Sequence, residues 1–129
     1  MMTTQEIEKA SAAIAKAPRI TLEIMESEIA AEYFLTAAQA LAGLSPPVPV
    51  IPALAITTMC IMTLRNGFVV IGHSTPMSPD NFNIEHGERL ARDQCIRQLW
   101  PHFAFFYRQT DLEMQKAAAP DPDQPHLDF

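Results

Sequence analysis

Few residues in this chain combine the type and the spacing that chemistry needs, and the first pair to consider is Cys60 with His73. An imidazole beside a thiol lowers its pKa and holds the thiolate, which is the beginning of a nucleophilic site. No oxyanion donor and no third, orienting residue accompanies the pair, so it reads as a buried cysteine beside a strand-end histidine. His73, His86 and His102 could join Cys60 and Cys95 around zinc, but none has the short paired spacing of a zinc site. Asp80, Glu85, Glu88 and Asp93 could supply an acid and a base. Helix capping and i,i+4 pairing already account for the last three. The expectation is a protein without catalytic residues, metal or cofactor, and not an enzyme.

Binding is better supplied. Phe82, Trp100, Phe103, Phe105, Phe106 and Tyr107 could stack a base or nucleotide, with polar contacts from Asn66, Ser74 and Asn81, although core packing asks for the same aromatics. The candidate ligand or partner contacts are Asn66, His73, Ser74, Asn81, Phe82, Trp100 and Phe105. Adjacent helical residues point about 100° apart, so Phe105 and Phe106 cannot share one core face. One of them is expected to meet a partner or a second copy.

At 129 residues, 48% hydrophobic and 19% charged, the chain is one domain's worth of ordinary globular composition. A net charge of −6 and a pI near 5.0 oppose a phosphate-neutralising surface, so no direct nucleic-acid contact is expected. Met-Met-Thr-Thr-Gln-Glu-Ile-Glu at the start has no basic or apolar leader, and no stretch approaches the length of a membrane span. A cytosolic protein is expected, with Cys60 and Cys95 reduced and buried.

The elements that must position these residues follow from pattern. Residues 3 to 17 read as a shallow, alanine-rich helix capped by Thr3 or Thr4, with Ile7, Ala10, Ile14 and Ala17 on one face, ended by Pro18. A second helix opens at Thr21, with Leu22, Met25, Ile29 and Tyr33 as its stripe. Phe34 to Gly43 is ambiguous between helix and extended chain. Ser45 to Pro52 holds four prolines and reads as a stiff connector whose valines and isoleucine lie along the core. Ile56 to Leu64 and Phe68 to Ser74 are strands of a hairpin turned at Asn66-Gly67, the signature of a type I′ turn. A two-residue loop would set Leu64 opposite Val69, Met62 opposite Ile71 and Cys60 opposite His73. Both faces of that ribbon are apolar, which calls for helices on both sides or for an oligomer interface.

Beyond a loop at Thr75 to Phe82, Asn83 caps a helix whose buried stripe is Ile84, Gly87, Ala91, Cys95 and Leu99. Gly87 implies a close approach to the hairpin, and Glu88 with Arg92 forms an i,i+4 pair. Pro101 should kink or restart the helix, after which Phe103, Phe106 and Tyr107 continue the buried face.

Thr-Leu-Arg-Asn-Gly-Phe-Val-Val-Ile-Gly-His-Ser (63 to 74), Ser-Pro-Asp-Asn-Phe-Asn (78 to 83), Gly87, Ala91 and Trp100-Pro101 together resemble the gene product forty-nine/sixty-six family of small tailed-phage and prophage proteins. The resemblance covers most of residues 20 to 110. It implies a phage context without agreed catalytic residues. His73 stands where that family usually has an acidic residue, and the proline-rich connector is a second departure.

The expected fold is α+β: a central antiparallel hairpin (about 56–64 and 68–74) packed against N-terminal helices and a long C-terminal helix kinked at Trp100-Pro101. Residues 1–19 form a loosely held helix, 20–116 a single domain, and 117–129 a mobile acidic, proline-rich tail. The expected role is that of an accessory protein of the host cytoplasm that binds a host or defence-system component. The alternatives are a binder of a nucleotide-like signal and an enzyme of unknown chemistry. Homo-oligomerisation through a hairpin face is also expected.

Overall fold

Three segments rich in β-branched, aromatic and other bulky apolar residues set the frame. In the computed structural model, which describes residues 3–14 and 20–118, strands β1 (Ile29–Thr36), β2 (Thr58–Leu64) and β3 (Val69–Ser74) form one antiparallel sheet in the order β1-β2-β3. Around it lie α1 (Thr4–Ile14), α2 (Leu22–Ser27), α3 (Ala37–Ala42) and α4 (Ile84–Ala118), with short 3₁₀ turns at Pro52–Ile56 and Pro79–Asn81. The class is α+β, as the pattern predicted. The predicted end of the first helix near Pro18 and most of the C-terminal tail lie outside the described residues.

Strand β1 is the first departure from the sequence reading. Thr21 does cap a helix, its hydroxyl accepting the Ile24 N–H at 3.1 Å, but that helix ends at Ser27. Ile29 and Tyr33 then lie on a strand. Its residues gain a full ladder against β2, from Thr36 opposite Thr58 to Ala31 opposite Thr63, with an irregularity between Ile29 and Ala31. Strand pairing outweighs the modest helix preference of Ala30, Ala31 and Glu32. The ambiguous stretch resolves into both options, strand to Thr36 and helix from Ala37. Thr36 and Gln39 form a reciprocal capping box at the switch.

The hairpin turns at Asn66-Gly67, but by a three-residue loop. Leu64 N–H donates to Phe68 O at 2.8 Å and Gly67 N–H to Leu64 O at 2.9 Å. Among the described residues only Gly67 has positive φ, at 88°. A type I turn closed by a left-handed glycine has this pattern, whereas a type I′ turn needs positive φ at two positions. The added loop residue moves the register by one, so Met62 faces Val70, Cys60 faces Gly72 and Met59 faces His73. With a side-chain period of two, that slip sends the other half of β3 inward. Val70 and Gly72 are buried, while Val69, Ile71 and His73 point outward.

Helix α4 covers the inner face, placing Ala91, Cys95, Ile96 and Leu99 against Cys60, Met62, Leu64 and Val70, with Met25 of α2 completing the core. Gly72 permits this contact. A Cβ there would overlap the Ala91 carbonyl oxygen and lie 3.1 Å from Cys95 N. Gly87 is a second close approach, where a Cβ would sit 2.6 Å from Thr58 Oγ1, so the predicted contact with the hairpin is present there. Ile84, expected in the buried stripe, is exposed at the first position of α4. Val48, Val50 and Ile51 of the proline connector are likewise exposed rather than laid on the core.

Arg92 turns away from Glu88 and pairs with Glu32 of β1 at 2.5 Å and Glu26 of α2 at 3.5 Å, tying three elements together. Burial works against its charge, but hydrogen bonding and attraction from the two carboxylates hold its pKa above the ordinary arginine value. Asp93 accepts the Thr4 N–H at 3.1 Å, seating the start of α1 on α4. Thr3 supplies the α1 cap.

The outer face is a grid of three cross-strand rows: Ala31, Thr63, Val69; Tyr33, Ile61, Ile71; and Leu35, Met59, His73. Tyr33 is 59% exposed, Val69 50% and Ile71 48%. The β3 edge is sealed by two glutamines one helical turn apart on α4. His73 N–H donates to Gln94 Oε1 at 2.7 Å, and Gln98 Nε2 donates to Ile71 O at 2.8 Å.

At 35 residues, α4 is about 52 Å long at 1.5 Å per residue, against about 23 Å for a seven-residue strand. It runs through Trp100–Pro101 as one helix rather than restarting there, at the cost of one missing amide donor. Past the sheet its burial lapses. Phe106 and Tyr107, expected on the buried face, are exposed, and so is Phe105.

Substituting Gly72→Ala should therefore lower stability by about 3 kcal/mol, because the new Cβ meets the α4 backbone at both Ala91 and Cys95. Gly67→Ala, where only the backbone conformation resists, should cost about 1 kcal/mol. Urea unfolding of both variants checks the order, and equal losses would contradict the close helix–strand contact.

Candidate functional site

The register decides which chemistry the sheet can offer. Cys60 points into the core opposite Gly72, and His73 points out of the other face opposite Met59. The possible thiol–imidazole pair is thereby separated by the sheet itself. Cys95 Sγ lies 3.5 Å from Cys60 O and 4.0 Å from Val70 O, and both cysteines are fully buried. A hydrogen bond with Cys95, reinforced by burial, pushes the Cys60 thiol well above its ordinary pKa, the reverse of nucleophile activation. Among the described residues, no three His, Cys, Asp or Glu side chains come together as a metal site.

A cavity of about 310 Å³ opens at the turn end of the hairpin, between the Arg65–Gly67 loop and the stretch of α4 that leaves the sheet. Leu64 and Leu99 form its floor. Phe68, Phe103, Phe106 and Tyr107 form aromatic walls, and Glu28, Asn66 and His102 bring polar groups. The volume is at the small end of ligand pockets, which are mostly apolar with a few placed polar groups.

Each wall has a local cause. The glycine-closed turn sets Phe68 beside α4, where its ring meets the His102 imidazole edge-on at a centroid distance of 5.1 Å. Phe106 and Tyr107 pack edge to face at 5.6 Å, an arrangement that aromatic quadrupoles favour. Asn66 Oδ1 accepts the Phe68 N–H at 3.0 Å, which braces the turn and leaves the amide nitrogen to donate. Arg65 N–H donates to Glu28 O at 3.0 Å, fixing the end of α2 against the turn and setting the Arg65 backbone at the rim.

Of the residues expected to bind, only Asn66 lines this cavity. His73 and Ser74 end β3 at the opposite end of the sheet, and Asn81 and Phe82 follow in the loop beyond it. Trp100 is half-buried against the core and Phe105 projects into solvent. The grouping of Asn66 with Ser74 and Asn81 is therefore not one site. Nothing in the sequence pattern marks Glu28, Phe68 or His102 as binding residues, whereas Phe103, Phe106 and Tyr107 belong to the aromatic set that could stack a base and that core packing equally claims. The legible signal for these last three was an aromatic run continuing along α4 beyond the length of the strands.

The turn, the loop after β3 and the Trp-Pro step now stand in one arrangement, and the family described as "Phage protein (N4 Gp49/phage Sf6 gene 66) family" matches residues 20–110. The chain belongs to this phage protein family. The match begins just before α2 and ends within the projecting part of α4, so it takes in the whole sheet and every residue of the turn-end cavity. The N4 Gp49/Sf6 gene 66 family assignment gives the phage context that the sequence resemblance implied. No curated protein and no solved structure matches the chain. No helix of the described residues is long and apolar enough to cross a membrane.

Complete burial of the two thiols predicts that neither Cys60 nor Cys95 reacts with a chromogenic disulfide reagent in the folded protein, and that both react at once in denaturant. Rapid labelling of either thiol without unfolding would show the core to be more open than described.

Proposed function

We propose that this N4 Gp49/Sf6 gene 66 family protein is a phage accessory protein of the host cytoplasm that works by binding rather than catalysis, and that its ligand is a small planar signal molecule of nucleotide type. The observation that carries this reading is the turn-end cavity, whose aromatic walls stand around a floor of leucines with a donor and an acceptor at hand. A base stacked between Phe68 and Tyr107 would offer its ring edge to the Asn66 amide and the Glu28 carboxylate. A phosphate would be left at the rim, beside the loop that carries Arg65. Holding such a molecule removes it from solution, which is how a sequestering protein would blunt a defence pathway that depends on it.

A second reading is a host or defence protein as the bound component. What favours it is the projecting half of α4, where Phe105 is 72% exposed and Phe106 60%. Exposed aromatics on a rigid helix are the usual anchors of a protein interface.

Calorimetry and thermal shift with a panel of nucleosides, mononucleotides and cyclic nucleotides test the first reading. At least one should stabilise the protein, and Phe68→Ala or Tyr107→Ala should weaken its binding at least tenfold while far-UV circular dichroism is retained. Absence of any stabilising nucleotide, together with a protein partner recovered from infected cells and lost on Phe105→Ala, would transfer the case to the second reading.

A further inference from the structure

The outer face of the sheet takes no part in the cavity, and it differs from the open face of an ordinary antiparallel sheet. Such a face alternates to polar side chains that meet water. Here none of its nine grid positions carries Asp, Glu, Lys or Arg, and the middle row is Tyr33, Ile61 and Ile71. Tyr33, Val69, Ile71 and His73 are exposed and the other five half-buried, so an uncharged and mostly apolar face meets water.

We infer that this face is the interface of a symmetric homodimer, in which two copies of the sheet stack face to face. Three observations select a second copy as the occupant. The first is charge: a surface without formal charge gives no electrostatic preference for an acidic or basic partner and meets its own copy without repulsion. The second is geometry. With the two-fold axis along β2, β1 of one copy lies over β3 of the other, so that Tyr33 meets Ile71, Ala31 meets Val69, Leu35 meets His73, and Met59, Ile61 and Thr63 each meet their own copy, with no carboxylate, ammonium or guanidinium in any pair. The third is size. Strands about 4.8 Å apart rising about 3.4 Å per residue lay out a face on the order of 15 by 20 Å, or roughly 900 Å² of accessible surface for the pair. Specific interfaces begin near about 1,000 Å². An interface at this lower limit makes a weak dimer, one that assembles as concentration rises. Strand addition at the β3 edge is closed off by Gln94 and Gln98, which leaves stacking as the route open to this side of the sheet.

Sedimentation equilibrium of the ligand-free full chain from about 1 to 200 µM tests this, a range that covers weak association. The wild type should pass from monomer to dimer. Ile71→Lys and Val69→Lys, both at exposed positions, should raise the dissociation constant at least tenfold with an unchanged circular dichroism spectrum. Met114→Lys, on the projecting part of α4, should associate as the wild type does. A monomer throughout the range, a dimer that survives both sheet-face lysines, or one lost with Met114→Lys overturns the inference. None of these outcomes depends on whether a nucleotide binds the turn-end cavity.

Discussion

The contact between the α4 backbone and β3 at Gly72 is what the rest of the molecule hangs on. Where the Ala91 carbonyl lies against Gly72, no side chain other than hydrogen fits, so the helix settles on the sheet at a fixed height and rotation. That rotation puts Cys95 and Leu99 over the centre of the sheet, turns Arg92 toward Glu26 and Glu32, and brings Gln94 and Gln98 to the β3 edge. It also decides where α4 leaves the sheet. Because the helix is more than twice as long as a strand, its aromatic run continues past the turn and walls a cavity that neither element could form alone.

The same contact explains how far the fold could be read from residues. Helix caps at Thr21 and Asn83, the hairpin, the position of its turn and the long helix are local features, each specified by a few neighbouring residues, and are legible in the sequence. Asn83 does accept the His86 N–H at 2.9 Å. What was not legible was the parity of β3, because Asn66-Gly67 serves equally as a two-residue or a three-residue loop. One residue of difference reverses the strand. Gly72 held the missing information, since a glycine in a strand interior marks close approach by another backbone. Reading Gly72 inward would have set Val70 inward with it and moved His73 to the far face from Cys60. β1 was missed for a different reason: Ile29 to Thr36 becomes a strand only because β2 offers it a ladder, which is a tertiary gain invisible to local pattern.

The candidate site was less legible than the fold. Asn66 was accessible through its turn chemistry, and the aromatic run was visible as a run. Its division into half-buried and exposed members was not, because that depends on the length of helix relative to sheet and on the exit point fixed at Gly72. The resemblance to the phage family rested on the turn, the loop and the Trp-Pro step, which are the residues that set this geometry.

The glutamine seal on β3 has a consequence for how the chain is made. Gln94 and Gln98 lie some twenty residues or more after the strand edge they protect, and synthesis proceeds from the N-terminus. While α4 is still emerging from the ribosome, β3 presents Ile71 O and His73 N–H to whatever strand is nearby. The protective group and the first covering layer of the core arrive together, on the same turns of one helix. A nascent chain interrupted before about residue 98 would carry a bare edge and an uncovered sheet, so correct folding of this protein is a matter of finishing α4 soon after the hairpin closes.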